Sequence, residues 1–158
     1  MINEKKSLQD IPKYKAGKTV QELQKNSKLP LIKLSSNENP LGCAVNLNDL
    51  ENLDLNVYPH QESSQLVNEL ENIHNVKSSN IILGNGSDEI FQFCTSSLLN
   101  ETDEVISSEH TFAMYEINTK ICSAKFISVP MKDYSHDLDG LLNAITDHTK
   151  IIFIANPN

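Results

Sequence analysis

Ile81-Ile82-Leu83-Gly84-Asn85-Gly86-Ser87-Asp88-Glu89-Ile90-Phe91 reads as a strand, a turn and the start of a helix. Three branched apolar residues suit a short buried strand. Gly84 and Gly86 allow a tight turn with positive φ, and Ser87 is a good helix N-cap. Working outward, the same alternation recurs downstream: strand 104–107, helix 113–123, strand 125–129, helix 138–145, strand 150–155. Strands separated by helices pair in parallel, so residues 80–158 read as an α/β unit, a mostly parallel, doubly wound sheet with flanking helices. Its crossovers are right-handed, and ligands bind at the carboxyl ends of the strands, where helix N-termini point.

Upstream of this unit the pattern is less regular. Leu66, Val67, Leu70 and Ile73 recur at three and four residues, which predicts an amphipathic helix over 63–74. Residues 1–30 are polar and interrupted by Pro12, Gly17 and Pro30, and Thr19 is placed to cap a short helix ending near Asn26. They read as an arm and not as a core element. Residues 31–34 are apolar, 35–42 are a loop rich in Ser, Asn, Pro and Gly, and 46–56 follow no regular period.

Composition limits the partners. The chain has 158 residues, enough to bury about 70% of its unfolded surface as one domain. Twenty-one acidic against 13 basic residues give a net charge of −8, with no clustered basic face, so nucleic acid and anionic membrane are poor partners. No apolar run approaches the ~18 residues needed to span a bilayer. The basic start, Met1 to Lys6, has no apolar stretch behind it and is not a signal peptide. Cys43, Cys94 and Cys122 are far apart, which suggests buried reduced thiols in a cytoplasmic protein. The histidines lack metal-site spacing, so no metal is expected.

Four segments carry chemistry. The turn before Ser87 opens a helix whose free N–H groups and positive dipole end suit a phosphate. It is neither a dinucleotide fingerprint, which needs glycine at Glu89, nor a P-loop, which needs Gly-Lys-Ser/Thr. The plainer alternative is a capped helix with Asp88 and Glu89 complementing the dipole. Asn37-Glu38-Asn39-Pro40-Leu41-Gly42 is a stiff polar loop, or simply an Asx-turn. Tyr58-Pro59 is an extended aromatic–proline pair. Phe112 follows the second strand, where an aromatic either stacks on a planar cofactor or fills a core. At the end, Ile151-Ile152-Phe153-Ile154 reads as a buried strand and Ala155-Asn156-Pro157-Asn158 as the loop after it. A strand with no covering element is expected to be the front part of a longer protein.

In order and spacing these segments resemble the histidinol-phosphate aminotransferase family, fold-type I enzymes that use pyridoxal 5′-phosphate. The resemblance runs from about Ile11 to the end. It rests on Ile11-Pro12 with Tyr14 and Gly17-Lys18, Lys33 to Gly42, Tyr58-Pro59, Leu83 to Glu89, Thr111 to Tyr115, Val129-Pro130, Asp133 to Leu138, and Phe153 to Asn158.

The resemblance implies that residues 1–45 are an N-terminal arm and substrate-side loop. Residues 46–158 are then the first part of an incomplete large domain, broken inside the active-site loop after Asn158, in which strands 104–107, 125–129 and 150–155 form a three-stranded patch and the strand near Ile81 is left without its sheet partner. It implies that backbone amides of Ser87 and Asp88 hold the cofactor phosphate, that Phe112 stacks on the pyridine ring, and that Tyr58 reaches the site of the other subunit of a homodimer. Tyr14 and Asn37 are implied to lie beside the substrate. The family's Schiff-base lysine, ring-nitrogen aspartate and carboxylate-binding arginine match nothing in this chain, so no catalytic residue is assigned. The implied reaction links histidinol phosphate and 2-oxoglutarate to imidazole-acetol phosphate and glutamate. Two other readings stay open: a related pyridoxal-phosphate enzyme, such as threonine-phosphate decarboxylase or an aromatic aminotransferase, and a non-catalytic phosphate-binding α/β module.

Overall fold

The computed structural model describes residues 3, 5–11, 14, 17–25, 28–51, 56–58 and 64–158, the side chains of Leu47, Asp49 and Ser64 excepted. Pro12, Asn26, Pro59 and Ser63, which belong to the expected arm, tyrosine–proline pair and helix start, lie outside the described residues. In chain order the elements are α1 (Lys6–Gln9), α2 (Val20–Gln24), a 3-10 turn (Leu47–Leu50), α3 (Ser64–His74), a second 3-10 turn (Ser78–Asn80), α4 (Ser87–Leu98), β1 (Glu104–Ser108), α5 (Met114–Ile121), β2 (Lys125–Val129), α6 (Leu138–Asn143) and β3 (Thr149–Phe153). They form two compact units, one of Lys15–Ile81 and one of Met1–Tyr14 with Ile82–Asn158.

The second unit holds the expected α/β sheet. Its order is β2-β1-β3, all parallel, with Val105 opposite Phe126 and Ile151. The register shifts between Glu104 and Val105, where Lys150 is the extra residue on β3. β1 is central and buried along its whole length. Chain direction and the right-handed crossover rule put α5 and α6 on opposite faces. Residues alternate accordingly: Ile106 packs with Val129 and Leu141 of α6, backed by Ile127 and Ala144. On the other face Phe153 stacks on Tyr115 of α5, ring centroids 4.6 Å apart. Fully buried aliphatics such as Val105 and Ile106 each contribute about 1.5–3 kcal/mol of burial.

Asp137 starts α6 by accepting from the Gly140 N–H at 3.1 Å, and its other carboxylate oxygen pairs with Lys132 at 2.9 Å. At the amino end of the sheet Glu104 accepts from Lys125 and Thr146, at 2.8 and 2.6 Å. Helix α1 meets the carboxyl end of α5, where Lys5 donates to the Ile121 carbonyl and the Ser7 and Ser123 hydroxyls bond.

In the Lys15–Ile81 unit the capping reading of Thr19 holds. Thr19 and Glu22 form a reciprocal capping box at the start of α2. Helix α3 runs on into the 3-10 turn, whose Ser78 N–H donates to the Glu71 carboxylate. Among the described residues none of this unit is fully buried.

As the resemblance implies, residues 81–83 lack a sheet partner: Ile81 is extended, at φ −116° and ψ 127°, but no strand among the described residues pairs with it. Two expectations need correction. Ser87 is the first helical residue and not the N-cap, which is Gly86. The three cysteines are free, yet Cys43 is exposed and the other two are half-buried.

Candidate functional site

The carboxyl ends of the three strands and the amino end of α4 supply the site in the second unit. Gly86 has a φ of 84°, which only glycine adopts without strain, and nothing lies within 4 Å of where its Cβ would sit. The turn is closed from the far side: Glu89 accepts from the backbone N–H of Asn85 at 2.6 Å and from its side-chain amide at 3.0 Å. Gly86 has no side chain with which to cap α4. The N–H groups of Ser87 and Asp88, at N1 and N2, therefore have no acceptor within the helix. Both side chains are exposed, so the Asp88 carboxylate is free to turn to solvent and leave its amide at the helix end.

Phe112 sits close to this helix end. Its ring packs on Phe91, one turn into α4, at 6.0 Å, and edge-on against Tyr115 at 5.9 Å. Phe91 in turn meets Tyr115 and Phe153 edge-on at 4.8 and 5.6 Å. Phe112 keeps 37% of its surface exposed, whereas Tyr115 keeps 6%. Burial raises the Tyr115 hydroxyl above its ordinary pKa, which holds it as a neutral phenol. The aromatic cluster thus has a buried floor and an exposed rim, with Phe112 on the rim.

The loops after the strands are bonded to one another. The Thr111 hydroxyl donates to Asn158 Oδ1 at 2.8 Å, and Asn158 Nδ2 donates to the His110 carbonyl at 3.2 Å. His136 Nδ1 lies 2.7 Å from the Ser108 hydroxyl, and its Nε2 lies 2.7 Å from the Ala155 carbonyl. A carbonyl only accepts, so Nε2 carries a proton and donates. Ser107 donates to the Phe153 carbonyl at 2.8 Å. Sequence reasoning assigned no role to His136, Ser108 or Thr111. The available signals were their positions in the loops at the strands' carboxyl ends and, for Thr111 and His136, the family-like segments that contain them.

Of the expected site residues, Ser87, Asp88 and Phe112 come together here. Tyr14 belongs to the same unit and is 57% exposed. Asn37 and Tyr58 belong to the Lys15–Ile81 unit, where Tyr58 is 98% exposed. Asn37 and Ser36 both have positive φ, 48° and 69°. The expected Asx-turn of that loop is built on Asn39: Asn39 Oδ1 accepts from the Leu41 N–H at 3.0 Å and its Nδ2 donates to the Gly42 carbonyl at 3.1 Å. Lys33 pairs with Glu38 at 2.5 Å, which ties the loop to the apolar stretch before it. A Cβ on Gly17 would meet Ser36 Oγ at 2.8 Å, so Gly17 allows the close approach of the arm to this loop.

The family described as aminotransferase class I and II matches residues 30–158. Histidinol-phosphate aminotransferase 1 of Idiomarina loihiensis is 42% identical over 149 residues, covering 92% of this chain and 41% of that protein. The histidinol-phosphate aminotransferase of Halalkalibacterium halodurans is 35% identical over 152 residues, 94% of this chain and 41% of that protein. The chain therefore spans about two fifths of the length of the curated relatives it matches. Among solved structures, the histidinol-phosphate aminotransferase from Clostridium acetobutylicum aligns with a TM-score of 0.63 at 30% identity, over 78% of this chain and 37% of that one. Alanine aminotransferase from Pyrococcus furiosus, at 22% identity and a TM-score of 0.52, shares the fold over 59% of this chain and 25% of its own. With the parallel α/β sheet, the glycine turn at the head of α4 and a family match over residues 30–158, the chain belongs to the class I and II aminotransferases.

Proposed function

We propose that the protein carrying this chain is a histidinol-phosphate aminotransferase that binds pyridoxal 5′-phosphate. The observation that carries the reading is the head of α4. Two backbone N–H groups without helical acceptors lie about one helical turn from Phe91, on which the exposed ring of Phe112 packs. The residues fit this cofactor. The space beside Gly86 is open, the helix end favours a phosphate dianion, and Phe112 offers a flat apolar face. When bound, the cofactor supplies the electron sink for amino-group transfer.

The chain's own residues bind and orient. Ser87 and Asp88 hold the phosphate through their amides, and Phe112 covers one face of the ring. Tyr58 serves the neighbouring site of a homodimer, while Tyr14 and Asn37 lie on the substrate side. In the same reading residues 1–45 are the arm and substrate-side loop, and 46–158 are the first part of the large domain. The substrates are a phosphorylated amino alcohol or its keto form and glutamate, handled in the cytoplasm. In keeping with that location, no helix among the described residues is long and apolar enough to cross a membrane.

The test is a substrate comparison on the full-length protein with added pyridoxal phosphate. Glutamate should form from 2-oxoglutarate fastest with histidinol phosphate. Faster transfer from aromatic amino acids, or decarboxylation of threonine phosphate, would favour a related enzyme. Failure to take up the cofactor would sink the reading.

A further inference from the structure

One imidazole ties the carboxyl ends of all three strands together. Ser108 is the last residue of β1, His136 lies in the loop that leaves β2, and Ala155 lies two residues beyond β3. With Nε2–H given to the Ala155 carbonyl, Nδ1 shares a hydrogen bond with the Ser108 hydroxyl. His136 thereby fixes one end of the segment 155–158. Its other end is fixed by Asn158, which bonds Thr111 and the His110 carbonyl beside Phe112.

We propose that His136 is a positioning residue: held between Ser108 and Ala155, it sets the path of residues 155–158 and, through the Asn158–Thr111 contact, the placement of Phe112 toward an aromatic phosphate ligand. The ligand half of this inference rests on the cofactor reading above. The placement of residues 155–158 does not.

The experiment uses the full-length protein and the variants His136→Phe, His136→Gln and Ser108→Ala. Pyridoxal phosphate is titrated into each, and the side-chain amide resonances of Asn158 are followed by NMR without ligand. Phenylalanine keeps the ring and loses both hydrogen bonds. The pyridoxal-phosphate dissociation constant of His136→Phe should rise about tenfold, equivalent to about 1.4 kcal/mol. The Asn158 resonances should shift. Glutamine carries one donor and one acceptor and should restore most of both; Ser108→Ala should lose part of each. If His136→Phe lowers the melting temperature but leaves affinity and the Asn158 resonances as in the parent, the residue is structural only and the proposal falls. If the parent protein takes up no pyridoxal phosphate, the cofactor reading fails, and the Asn158 resonances alone decide: moved, they uphold the positioning of 155–158, and unmoved, they overturn it. Should His136→Phe fail to fold, Ser108→Ala carries both readouts.

Discussion

At Gly86 the open surroundings of the missing Cβ separate two costs that usually come together. A side chain there meets no neighbour, so only the φ of 84° resists it. Gly86→Ala should cost about 1–2 kcal/mol of stability, the price of one left-handed residue, and Gly86→Val more, because branching at Cβ narrows that region further. On the proposed cradle, both side chains would also crowd the phosphate. Ser87→Ala is the contrast: Ser87 is at N1, so it gives up no cap and should leave both stability and cofactor affinity nearly unchanged. Urea melts and cofactor titrations on the full-length variants check the pair, and equal affinities for Gly86→Val and Ser87→Ala would contradict the backbone cradle. Phe112→Tyr should keep cofactor affinity, while Phe112→Ala should lose on the order of 1–3 kcal/mol of it. An alanine variant that binds as tightly as the parent would make Phe112 a packing residue. Gly86 was legible in the sequence because a glycine before a helix is a local signal. His136 was not, because its partners lie 28 and 19 residues away and no spacing rule links them.

Helix α6 carries a pH dependence that can be worked out in sign. The hydrogen bond from Lys132, then that from the Gly140 N–H, hold the Asp137 carboxyl below its ordinary value of 3.8. A group depressed on folding adds stability above its unfolded pKa and loses it as pH falls through the folded value. Asp137→Asn keeps an oxygen for the Gly140 N–H and drops the ion pair. Its melting temperature should lie below the parent's at neutral pH, and the gap should close as pH falls below about 3.8. Lys132 is raised above 10.5 by the same partner, so the gap should close again at still higher pH. A gap constant across the acid range would count against the pairing. At this scale the sequence served well where the pattern was strong: β1, α5 and β2 fall within a residue or two of their expected bounds. Residues 81–83 stay without a partner, as expected of a strand whose sheet neighbours are not among the described residues. The Asx-turn expected in the Asn37–Gly42 loop is there, on the asparagine that precedes Pro40.

The sheet as a whole has one central strand and two edges. β1 is covered along its length, while on β3 Ile152 remains 38% exposed at the open edge. An apolar parallel edge pairs readily with other chains. Residues 1–158 expressed alone should therefore form soluble oligomers or aggregates by size-exclusion chromatography. Amides of Ile82 and Leu83 should exchange without protection, and those of β1 slowest. A monomer that melts cooperatively with Ile82 and Leu83 protected would instead support a complete module. The architecture was legible in the alternation of residues 104–155, but the order β2-β1-β3 was not, since spacing alone does not say which side of β1 the third strand takes. That order sets a schedule during synthesis. The first strand made is the one that ends up in the middle, and its second partner is the last to be made. Twenty residue positions separate the end of β2 at Val129 from the start of β3 at Thr149. At about 5–20 residues per second, a ribosome takes about 1–4 s to cross that interval. For those seconds the nascent β1 has one flank of backbone N–H and C=O groups still waiting for its partner.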